Sequence, residues 1–222
     1  MGFHQKPNLY IRDVSINVMD LNVSLAFYRD FLGFKVLEEG DRYVALTADG
    51  KTALIKLYQP EGVTPKEARK TGLYHFAILL PSRAELGKIL IHLIKNNYHL
   101  GASDHLVSEA LYLNDPDGNG IEIYHDREDS EWTWNSRNQV EMTTDPIDGE
   151  GVMAAAQGEL WGGMPAETIM GHIHLHVSDL EEADTFYRKL LGYELVCEYG
   201  GQALFLSTGK YHHHIGMNTW NG

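Results

Sequence analysis

An internal repeat constrains this chain more than any other feature of its sequence. Val14–Gly33 and Ile173–Gly192 align without a gap at a shift of 159 residues. Val18, Asp20, Leu21, Phe27, Tyr28, Arg29, Leu32 and Gly33 recur as Val177, Asp179, Leu180, Phe186, Tyr187, Arg188, Leu191 and Gly192. Such self-similarity points to duplicated structure, so one copy's local fold predicts the other's. In the first copy Val14, Ile16 and Val18 alternate with Asp13, Ser15 and Asn17, the period of a strand with one buried face. Asp20 stands where a helix cap is needed, and Leu25, Tyr28 and Leu32 follow at helical spacing. Gly33 ends the helix, and strands are expected at about 35–39, 42–47 and 52–58. The unit reads βαβββ.

A more diverged copy starts at Leu73. His75 to Leu80 reads as a strand, 82–96 as a helix with Leu86, Ile89, Leu90, Leu93 and Ile94 as its apolar stripe, and 111–114 and 121–124 as strands. The last two flank Asp115-Pro116-Asp117-Gly118-Asn119-Gly120, a strong turn signal. The third unit runs from Ile169 to about Asn218. The expected architecture is α+β, with tandem βαβββ modules forming cup-shaped mixed sheets. Residues 8–126 form a first domain of two modules, 127–168 a linker with a short helix near Met153–Ala156, and 169–222 the first half of a second domain. Three modules are visible where symmetry asks for four, so a longer parent chain is expected, the alternatives being a partner subunit that supplies the missing sheet or a second domain that is a genuine half-module.

Charge and cysteine content narrow the function classes. A net charge of −13 without a Lys/Arg cluster argues against a nucleic-acid partner. Apolar runs are too short to span a membrane, and the N-terminal residues show no secretory or myristoylation signal. The single cysteine, Cys197, forms no internal disulfide, and a reducing, cytoplasmic location is expected. Histidine is the unusual residue: six of the twelve fall in two clusters, His172, His174, His176 and His212, His213, His214. Alternation places the first cluster on one strand face, opposite Ile173, Leu175 and Val177. Three unpaired imidazoles on a packed face would be costly, so a polar cup is expected there.

The run from His172 through Asp179-Leu180, Phe186-Tyr187-Arg188 and Leu191-Gly192 resembles the vicinal-oxygen-chelate superfamily of glyoxalases, bleomycin resistance proteins and extradiol dioxygenases. So do Gly72-Leu73-Tyr74-His75-Phe76-Ala77 and the segment from Asp115 to Glu122 and Tyr124. Tyr211 to Asn218 resembles the two-domain, catechol 2,3-dioxygenase-like bacterial branch. The resemblance implies metal ligands seven residues before each helix cap, which selects Asp13, His75 and His172, and one on a module's last strand, Glu122. These divide into a first-domain set, Asp13, His75 and Glu122, and a second-domain ligand, His172, in the domain where extradiol enzymes hold iron. Fe(II) is the implied cofactor; imidazole and carboxylate also suit Zn, Mn or Ni.

The resemblance further implies that His213 is an acid/base group, although strand alternation would set it beside Ile215 and Met217 and opposite His212 and His214. His174, His176 and His214 are expected to face substrate. His105 reads as a loop histidine, with a reach into the first domain's cup or onto a ligand as the alternative, and Trp132, Trp134 and Trp161 read as packing residues of the linker. The implied activity is extradiol ring cleavage of an aromatic diol with O₂, in a homo-oligomer. Two alternatives stay open, a glyoxalase-like lyase or isomerase and a non-enzymatic small-molecule-binding protein.

Overall fold

The computed structural model describes residues 2–221. Module one comprises β1 (Val14–Asn17), α1 (Leu21–Leu25), a π-helical turn (Ala26–Phe31), β2 (Lys35–Gly40), β3 (Tyr43–Thr47) and β4 (Ala53–Tyr58). Module two comprises β5 (Gly72–Leu79), α2 (Arg83–Lys95), β6 (Gly101–Asp104), β7 (Ser108–Asn114) and β8 (Gly120–Asp126). A connecting segment carries α3 (Gly149–Ala155). Module three comprises β9 (Ile169–His176), α4 (Leu180–Asp184), a second π-helical turn (Thr185–Leu190), β10 (Glu194–Tyr199), β11 (Ala203–Ser207) and β12 (Ile215–Asn218). No helix among the described residues is long and apolar enough to cross a membrane.

The repeat holds at atomic detail. Asp20 caps α1 by accepting from the backbone N–H groups of Asn22 and Val23, and Asp179 caps α4 by accepting from Glu182. Both helices then widen into a π turn. Leu32 N–H donates to Phe27 O in one copy and Leu191 N–H to Phe186 O in the other. Both helices end at a glycine with φ +88°, Gly33 and Gly192. Ser82 caps α2 in the same way.

Module one forms a four-stranded sheet, order β1-β4-β3-β2. Modules two and three share one eight-stranded sheet, order β10-β11-β12-β9-β5-β8-β7-β6. Their first strands, β5 and β9, lie side by side and antiparallel at its centre. The fold is α+β. Phe76, Ile78, Ile121 and Ile123 pack against Leu86, Ile89, Leu90 and Leu93 of α2 on one face of this sheet. The other face carries the polar residues. Strand β6 was not expected, because Gly101-Ala102-Ser103-Asp104 lacks apolar alternation; it is recruited by backbone pairing with β7. The linker is well packed. Trp132 stacks on Phe3, and Trp161 Nε1 donates to Leu32 O.

Candidate metal centre

Strand register builds the centre. Glu122 on β8 and His172 on β9 both pair with Ala77 of β5, from opposite sides. Residues directly opposite across strands share a face, so both side chains rise on Ala77's face. His75, two residues from Ala77, rises there as well. Ala77 is too small to fill the space between them. One donor atom each of His75, Glu122 and His172 lies within 4.8 Å of the others, and all three residues are buried. His75 Nε2 is 3.0 Å and His172 Nε2 3.2 Å from the same Glu122 oxygen. Gly120, paired with His75, is part of the design: a β-carbon there would meet the Tyr74 carbonyl and the His75 side chain.

Three of the four expected ligand candidates, divided between two sets in the sequence, are brought together. His75 and Glu122 of module two and His172 of module three converge because β5 and β9 are neighbours. Asp13 stands elsewhere, ion-paired to Lys56 at 2.7 Å and Arg12 at 3.0 Å.

The donors fit a divalent metal. Two donors bound at about 2.1 Å and at right angles are roughly 3 Å apart, and both nitrogen–oxygen separations are close to that. The buried His75 Nε2, though 3.0 Å from Glu122, is not aligned to hydrogen-bond with it or with any other described residue. Burial raises the pKa of Glu122, but His172 and His75 outweigh it and hold the carboxyl well below its usual range. Burial lowers His172 to about 4 against the opposing pull of Glu122, so it is neutral and able to ligate at neutral pH. Two imidazoles and a carboxylate on one face suit Fe(II) and leave positions open; they also suit Zn, Mn or Ni.

A cavity of about 280 Å³ opens beside these residues. His75, Glu122, His174 and His213 line it, with Val107, Met142, Phe205 and Trp220 as apolar wall. His213 lies with its ring centre 4.0 Å from that of His172. Residues 211–214 precede β12 and are not part of a strand, so alternation does not govern them and all three histidines are buried. His214 does not line the cavity; its Nδ1 is 3.1 Å from Ser207 Oγ, and its ring lies against Tyr211 and His4. His176 bonds Asn218 through Nδ1 at 2.7 Å and lies against Tyr74. His174 accepts from Asn218 Nδ2 at 2.9 Å. Gly216, its partner on β12, leaves room for the His174 ring, which a β-carbon would meet at 2.9 Å.

Two contributors, Tyr112 and Trp220, lay outside the sequence expectation. Tyr112 pairs with Glu122 across the β7–β8 hairpin, and its hydroxyl is 2.6 Å from His105 Nε2. Pairing outward from the Asp115–Gly120 turn would have found it. His105, read as a loop residue with a reach into the cup as the alternative, lines the cavity and also bonds the Thr143 carbonyl through Nδ1 at 2.6 Å. Trp220 had no local signal.

A βαβββ cup with a buried two-histidine, one-carboxylate cluster defines a scaffold built for metal-assisted chemistry. Residues 10–123 match the family described as the glyoxalase/bleomycin resistance protein/dioxygenase superfamily, and the chain belongs to that family. It is 50% identical over 215 residues to a protein named catechol-2,3-dioxygenase from Bacillus subtilis (strain 168), covering 96% of this chain and 75% of that protein. Among solved structures it resembles a chain from Bacillus subtilis subsp. subtilis str. 168, provisionally assigned as a dioxygenase, with TM-score 0.65 and 15% identity. That match covers 98% of this chain and 66% of the solved one. A glyoxalase/dioxygenase from Nostoc punctiforme matches 53% of this chain and 91% of its own, with TM-score 0.45 and 19% identity.

Proposed function

We propose that this chain carries the active site of a ring-cleaving dioxygenase that opens small, uncharged catechols with O₂, using a divalent metal, Fe(II) foremost, held by His75, Glu122 and His172. The convergence of these three side chains on one point beside a cavity carries the reading. The relative's name, catechol-2,3-dioxygenase, at 50% identity supports it. When bound, the metal supplies adjacent open positions at which a catecholate and O₂ can meet.

The protein's own residues do the rest. Glu122 contributes the negative charge, and the neutral imidazoles contribute lone pairs. The apolar wall of Val107, Met142, Phe205 and Trp220 receives the ring and keeps water from it. His213 stands beside His172, within reach of a hydroxyl bound at the centre, and accepts its proton before ring opening. The cavity is at the small end of ligand sites, which favours a single ring. Among the described residues lining it there is no Lys or Arg, so no cationic side chain is there to pair with a substrate carboxylate.

The test is direct. The chain is loaded anaerobically with Fe(II), mixed with catechol, and exposed to O₂. A yellow ring-opened product holding both oxygen atoms of O₂ is expected, with kcat/KM at least about tenfold higher than for 3,4-dihydroxybenzoate. Absence of product with catechol and its alkyl derivatives would sink the reading. An O₂-independent isomerisation of a thiol adduct of a 2-oxoaldehyde would replace it with the lyase alternative.

A further inference from the structure

The consecutive histidines before β12 have separate tasks, and His212 is neither a ligand nor a cavity residue. It is fully buried. Its Nε2 is 2.7 Å from Asp126 Oδ1, and its Nδ1 is 2.7 Å from Nδ1 of His213. Asp126 stands at the end of β8, four residues beyond Glu122 and on the same strand face, so one strand supplies both a metal ligand and the anchor of this chain of bonds. Neighbouring rings hold His212 in place: Tyr211 at 4.1 Å and Trp132 at 5.3 Å between ring centres. Tyr211 is fixed in turn by a 2.6 Å hydroxyl–hydroxyl bond to Tyr124.

Donor–acceptor logic determines the protons. A carboxylate only accepts, so His212 donates through Nε2–H to Asp126. With a single N–H on His212, its Nδ1 accepts, and the short contact then places the proton on His213 Nδ1. His213 Nε2 is left with a free lone pair. It has no hydrogen-bond partner among the described residues, and its ring lines the cavity and overlies His172.

We propose that Asp126 and His212 are positioning residues that fix the tautomer of His213, presenting its unprotonated Nε2 to the cavity as a ready proton acceptor. This rests on the assignment of His213 as the base. The logic is that of a base held by a third group. On reaction a proton leaves the bound hydroxyl for His213 Nε2. The resulting cation is held by its Nδ1–H bond to His212 and, through it, by Asp126.

The test reads protons rather than turnover. Metal-free chain labelled with ¹⁵N-histidine is examined by long-range ¹H–¹⁵N correlation at neutral pH, with His213→Gln and His212→Asn used to assign the signals. His213 is expected protonated at Nδ1 and bare at Nε2, opposite to the tautomer that histidine favours in water. His212 is expected protonated at Nε2 only. A proton on His213 Nε2, as a doubly protonated His212 would impose, overturns the proposal and leaves ring cleavage untouched. In the Fe(II)-loaded chain, Asp126→Leu is expected to lower kcat roughly 10- to 100-fold with KM and metal content held within about twofold, and Asp126→Glu to restore most of it. A loss confined to KM or to metal content overturns the positioning role. If no form of the chain cleaves catechol, the ring-cleavage reading fails on its own, while the tautomer result still stands or falls by the spectrum.

Discussion

At the scale of single residues, the site is a set of buried histidines kept neutral by their surroundings. Burial holds His172 at about 4 and His214 at about 3, and lowers His174 and His213 as well. All lie below the ordinary histidine value of about 6.5. In that interval an unfolded chain binds protons that the folded chain refuses. Stability from these groups is therefore complete above about pH 6.5 and is lost as pH falls toward their folded values. Denaturant midpoints of the metal-free chain are expected to be level from roughly pH 8 to 7 and to drop steadily from about 6 to 4; a midpoint level down to about pH 4 would contradict this. His75, Glu122 and His172 were singled out in the sequence only through the family resemblance, which implies ligands seven residues before a helix cap and on a module's last strand. The bond from His212 to Asp126 was not legible there, because 86 residues separate the pair and neither has a distinctive neighbourhood.

At the scale of elements, the repeat predicted the strand–helix–strand order of modules one and three, including the caps at Asp20 and Asp179. It did not predict the pairing of β5 with β9. Register between strands nearly 100 residues apart leaves no local mark, and this one contact sets His172 beside His75 and Glu122. Helix packing was also hidden. Gly87 lies inside α2, where Ala would be the better helix former by about 1 kcal/mol. A β-carbon at Gly87, however, would run into the Val152 carbonyl of α3, which lies against the helix at that point. Gly87→Ala is accordingly expected to destabilise the chain by about 1–3 kcal/mol in urea unfolding. A gain in stability would show that α3 does not rest there.

At the scale of the whole molecule, the repeats are related in sequence and unequal in setting. Phe27 and Leu32 of module one are buried in the core shared with module two, whereas Phe186 and Leu191 of module three are 49% and 46% exposed. The chain spans three quarters of the Bacillus relative's length and about two thirds of the solved dioxygenase-assigned chain. Within the described residues, modules two and three together hold a three-residue cluster that could bind a metal ion, and module one contributes none of it. The central claim is that this molecule has one metal centre shared by two modules. Metal content and affinity, measured by mass spectrometry and by Fe(II) or Mn(II) titration calorimetry, test it most directly. The expected result is one ion per chain, bound at least about 100-fold more weakly after either His75→Ala or His172→Ala, and with Asp13→Ala indistinguishable from the unaltered chain. Two ions per chain, or full affinity in one of the two histidine variants, would contradict it.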